Sequence, residues 1–64
     1  MDKRLKELRD RIKKEAPFIG IKPFSHNIVG LSLQEIAKKF SVKDANRAVR
    51  DFKLNAKGFN EEPE

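Results

Sequence analysis

The sequence predicts an all-α fold, a small three-helix domain, and three observations carry that expectation. Leu5, Leu8 and Ile12 recur at spacings of three and four in an otherwise charged stretch, the period of an amphipathic helix rather than of a strand. Two later segments each open on a serine followed three residues on by an acid, Ser32 with Glu35 and Ser41 with Asp44. That pattern satisfies the free N–H groups at a helix start. Finally, 64 residues allow one modest core, because a chain this short buries only about 60% of its unfolded surface.

The first helix is expected over residues 2 to 15, with the stripe of Leu5, Leu8 and Ile12 continued by Ala16. Asp2 can cap its start, Lys13 and Lys14 suit the negative end of its dipole, and Pro17 disfavours helical geometry at Ala16. Glu7 with Arg11 and Asp10 with Lys14 are four residues apart, close enough to pair on the helix surface.

Residues 17 to 30, PFIGIKPFSHNIVG, hold two prolines, two glycines and no acid, yet also Phe18, Ile19, Ile21, Phe24, Ile28 and Val29. This is too apolar for a flexible linker. An ordered Pro/Gly-containing apolar loop is expected between helices 1 and 2, crossing the core or forming a binding surface. A short strand over 18 to 21 is conceivable but would need a partner.

The second helix is expected over 32 to 40. Ser32 and Glu35 form a capping box, Leu31 and Ile36 occupy the positions of a hydrophobic staple, and Leu33, Ile36, Ala37 and Phe40 line one face. A rival start at Ser25 extends the same stripe to Val29, at a cost of about 1 kcal/mol for Gly30 inside the helix. The capping box favours Ser32. The third helix is expected over 42 to 53, opened by Ser41 and Asp44, with Ala45, Ala48, Val49 and Phe52 facing inward. Leu54 falls opposite Phe52, so either the helix ends near Lys53 or Leu54 meets another surface. Asn55 or Gly58 can supply a left-handed stop. Phe59 can fold back on the core, giving a single domain over 1 to 60 and a disordered acidic tail at 61 to 64.

Composition narrows the function. The chain has no cysteine and one histidine, His26, so disulfides, thiolate chemistry and a histidine cluster for metal are excluded. Neither a metal nor a cofactor is expected. Ser25 beside His26 has no orienting acid marked near it, and the glycines are too scattered to form a phosphate-cradling loop. The expectation is a protein that is not an enzyme. No apolar run nears the ~20 residues that span a bilayer, and a cytoplasmic chain without a membrane partner is expected.

The formal charge is +5, and without Glu61, Glu62 and Glu64 the remainder is +8. Seven basic residues stand between Lys38 and Lys57 against Asp44 and Asp51. At helical pitch Lys43, Arg47 and Arg50 share the side away from Ala45 and Val49, flanked by Asn46 and Lys53. Arg and Asn can make paired hydrogen bonds to guanine and adenine edges, and Lys suits phosphates. An ordinary solvated face, with Arg47 pairing Asp51, is the plainer reading.

Residues 33 to 52, LQEIAKKFSVKDANRAVRDF, resemble the helix-turn-helix module of transcriptional regulators, with a small Ala37, a tight turn at Ser41 and Val42, and a polar second helix. The resemblance implies that the third helix reads duplex DNA through residues 43, 46, 47 and 50. This chain departs from the pattern where Ser41 stands for the usual Gly, and where Arg47 and Arg50 stand for apolar residues.

The expected function is therefore a small basic regulatory protein that binds nucleic acid, duplex DNA first. Lys43, Asn46, Arg47 and Arg50 would make contacts, and Lys38, Lys39 and Lys53 would add phosphate attraction. The alternative is an interaction module or small inhibitor that docks on a larger partner, such as an acidic protein surface, through Leu5, Leu8 and Ile12. Homodimerisation is compatible with both. Phe18 and Phe24 beside Lys22 offer a third surface, for unpaired bases.

Overall fold

A computed structural model describes residues 2–64 and contains three α-helices: α1 (Lys3–Glu15), α2 (Ser25–Lys39) and α3 (Val42–Asp51). Short 3₁₀ turns at Ala16–Phe18 and Leu54–Lys57 follow α1 and α3. The all-α three-helix class read from the sequence is the observed one.

α1 starts where its cap says it should. The Asp2 carboxylate accepts from the N–H groups of Arg4 and Leu5 at 2.8 and 3.3 Å. Leu8 and Ile12 are fully buried and Leu5 is packed against the core, so the stripe closes this domain's own interior and offers no docking face to a larger partner. The four-residue pairs expected on its surface do not form among the described residues. Arg4 instead meets Glu7 at 3.8 Å and pairs with Glu35 across the fold.

The start of α2 is the main correction. The helix begins at Ser25, seven residues before the capping box, directly after Pro23 and Phe24. Ser32 is buried in the middle of α2, and its hydroxyl donates back to the carbonyl of Ile28 at 2.8 Å, the four-residue back-bond open to any Ser within a helix. Glu35 is taken by Arg4, whose Nε and Nη2 donate to its two oxygens at 2.7 and 3.0 Å. Leu31 is exposed while Ile36 is buried, so no staple forms. What starts the helix at Ser25 is tertiary: its hydroxyl, itself buried, donates to Glu15 at 3.0 Å and ties the two helix ends together. Gly30 lies inside the helix beside the Phe59 ring, which a Cβ at this position would meet at an ordinary van der Waals 3.5 Å.

α3 opens as expected. Ser41 accepts from the N–H of Asp44 at 3.0 Å and returns its hydroxyl proton to the Asp44 carboxylate. Ala45, Ala48 and Val49 are buried and Phe52 packs against them. The helix ends at Asp51, with Lys53 in the left-handed region at φ 55°, so the stop falls on Lys53 rather than Asn55. That reversal turns Leu54 inward, where it is fully buried, and Gly58 at φ 96° ends the following turn. The connector forms no strand. It is a tight turn closed by a single bridge between Ile19 and Lys22.

Candidate nucleic-acid interface

Three of the basic residues named from the sequence lie together. Lys43, Arg47 and Arg50 are exposed on α3, spaced by four and three residues, which puts them on one side of the helix. The opposite side supplies Ala45, Ala48 and Val49 to the core, so packing fixes which way the cations point.

The acids near this stripe are distributed unevenly. Asp51 was expected to neutralise Arg47, but its carboxylate accepts from Arg9 of α1 at 2.6 Å. Arg9 also lies over the Phe52 ring, 5.1 Å from its centroid, so it is positioned by stacking as well as by charge. Asp44 is engaged with Ser41 at the cap. Among the described residues no acid comes within 4 Å of Lys43 or Arg47, whereas Arg50 has Glu61 at 3.8 Å.

Asn46 does not join the stripe. It is 2% exposed, and both ends of its amide are used: Nδ2 donates to the Glu62 carbonyl and Oδ1 accepts from the Glu62 N–H, each at 2.8 Å. It binds the C-terminal segment and is not free to read a base edge in this arrangement. Position 46 lies between the buried and exposed faces, and helical pitch alone did not decide its side.

The flanking lysines differ. Lys38 and Lys39 are exposed in the last turn of α2, two residues before the turn that leads into α3. Lys39 shares Glu35 with Arg4, at 3.4 Å. The hydrogen bond from Arg4 holds the Glu35 carboxyl below the usual carboxylate range, with Lys39 adding to the effect and partial desolvation opposing it. Lys53 is exposed just past the end of α3, on the left-handed residue.

A second surface was only half legible. Ile21 and Phe24 are 76% and 72% exposed, so the apolar connector faces solvent as well as the core, against which it packs the half-buried Ile19. Lys22 lies over the Phe18 ring, 4.0 Å from the centroid. The absence of acids from residues 17 to 30 was the available signal.

No family model matches the chain, and neither a curated protein nor a solved structure matches it.

Proposed function

We propose that the protein is a small non-enzymatic module that binds duplex DNA through the exposed side of α3, with Lys43, Arg47, Arg50 and Lys53 on phosphates and the α2 lysines Lys38 and Lys39 adding attraction. The observation that carries this reading is the direction of Asp51. By pairing with Arg9 at 2.6 Å, it leaves Arg47, like Lys43, without an acid within 4 Å, and of the three stripe cations Arg50 alone faces one, Glu61. Such a run of cations on a packed helix suits backbone contacts, which supply affinity without sequence choice. Asn46, the residue best suited to reading adenine, is held by Glu62, so the binding proposed is governed by charge and shape. A regulatory role follows the resemblance of residues 33 to 52 to helix-turn-helix modules, and a cytoplasmic setting is part of the same proposal.

The test is salt dependence. Four phosphate contacts give a slope of about −3.6 for log affinity against log salt, and Arg47→Gln brings it to about −2.7. A slope near zero, or one unchanged by Arg47→Gln, defeats the proposal.

A second reading is favoured by one observation. Ile21 and Phe24 are exposed in an acid-free segment beside Lys22, a surface suited to a partner protein with an acidic rim. Substituting both by Ser abolishes capture of such a partner without affecting duplex binding.

A further inference from the structure

The segment after Gly58 is anchored on α2 and then tied to α3. The Phe59 N–H donates to the Leu54 carbonyl at 3.1 Å, and its ring stacks on His26 of α2 with centroids 4.6 Å apart. Two residues on, the Glu61 carboxylate faces the Arg50 guanidinium at 3.8 Å. Glu62 is fixed through its main chain, because the buried Asn46 amide donates to its carbonyl and accepts from its N–H, each at 2.8 Å. Those two bonds hold the backbone whatever side chain residue 62 carries. Asn46 and Arg50 are about one turn apart on α3, so Glu61 and Glu62 run along the helix towards the end that bears Lys43.

We propose that residues 59 to 62 are an autoinhibitory strap on α3, in which the Asn46 clamp holds Glu61 against Arg50 as an internal competitor for phosphate. The inference rests on the reading of α3 as a duplex-binding surface and adds the regulation of that surface. Among the described residues, Arg50 is the one cation of the stripe that faces an acid, and that acid comes from the strap rather than from a helix. The whole segment brings Glu61, Glu62 and Glu64, without which the formal charge rises from +5 to +8. Held within a Debye length of the stripe, these acids repel an approaching phosphate. The Arg50 pair is exposed, and such a pair is weak by itself. The clamp makes it persistent: it is neutral and buried at Asn46, so salt that screens the ion pair leaves the strap in place. A duplex reaches Arg50 only by displacing Glu61, while Lys43 and Arg47 stay open to it.

Variants of the full chain separate charge from clamp, and all of them lie outside the core. Combining Glu61→Gln, Glu62→Gln and Glu64→Gln removes the acids and leaves the main-chain clamp intact. Glu62→Gln and Glu62→Pro alone each remove one charge, but only proline also removes the N–H that donates to Asn46. Affinity for random-sequence duplex DNA is read by fluorescence anisotropy, and the Arg50 Nε–H by ¹⁵N NMR. The triple variant should bind roughly tenfold tighter than the native chain at low salt, a gain that shrinks as salt rises. Glu62→Pro should bind roughly twofold to fivefold tighter than Glu62→Gln and move the Arg50 Nε–H resonance, which Glu62→Gln leaves in place. Equal affinities of the native and triple-variant chains overturn the strap and leave duplex binding standing. Equal affinities of Glu62→Pro and Glu62→Gln, or an Arg50 resonance unmoved by Glu62→Pro, also overturn it, because the clamp would then not be what places Glu61. A native chain and a triple variant that both fail to bind at low salt overturn the duplex reading and the strap with it.

Discussion

Asp51 belongs to α3 by sequence and to α1 by contact: its carboxylate accepts from the Arg9 guanidinium at 2.6 Å, while Arg47, four residues before it on the same helix, has no acid within reach among the described residues. An intrahelical pair worth a few tenths of a kcal/mol gives way to a pair between helices, because Arg9 is already placed by its stacking on Phe52. The positive face of α3 depends on this exchange.

Asp51→Asn separates stability from binding. The Arg9 pair is partly exposed, with Asp51 46% accessible at its side chain, so its loss costs less than about 1 kcal/mol. Removing a carboxylate from the edge of the stripe strengthens duplex binding, by roughly twofold to fivefold at low salt. Chemical denaturation and fluorescence anisotropy measure the two effects. Weaker duplex binding by a folded Asp51→Asn chain would oppose the role given to this residue.

The interior of α2 gives a pair of substitutions with opposite expectations under the two helix starts. With the helix running through residue 30, Gly30→Ala gains about 0.5 to 1 kcal/mol, since its Cβ meets Phe59 at an ordinary 3.5 Å. Ser32→Ala is close to neutral, because a back-bond and not a cap is lost. A start at Ser32 would instead make Ser32→Ala cost about 1 kcal/mol. Thermal unfolding of the two variants decides between them.

These residues also mark how far the sequence could be read. The fold class, the Asp2 and Ser41 caps, the α1 stripe and the inward face of α3 were all legible, because each rests on period or on a bond within one turn. The start of α2 was not, because Ser32 and Glu35 have the spacing of a cap while their partners, Ile28 and Arg4, are set by packing. The basic stripe was legible from helical pitch. The fate of Asn46 and Asp51 was not, since it depends on Glu62 and Arg9, brought close only by the folded chain.

Glu35 sets an expectation for acid stability. Its carboxyl is held below its ordinary range first by the Arg4 hydrogen bond and then by Lys39. A group with a lowered folded value contributes stability that is complete above its unfolded value, about 4.3, and that disappears as pH falls through the folded value. Glu35→Gln therefore lowers stability at neutral pH and flattens the loss below about pH 4.3. Denaturation from pH 7 downward should show the two stability curves converging in acid. Parallel curves would mean that the Arg4 pair contributes nothing that titrates.

The most direct measurement of α3 as the binding surface is a ¹⁵N NMR titration of the native chain with random-sequence duplex DNA at low salt. The expected result is shifts concentrated at Lys43, Arg47, Arg50 and Lys53, reversed by added salt, with Asn46 moving only if the Glu62 clamp is released. A spectrum that stays folded with residues 43 to 53 unmoved would contradict DNA binding, and the exposed connector at Ile21 and Phe24 would then become the surface to pursue.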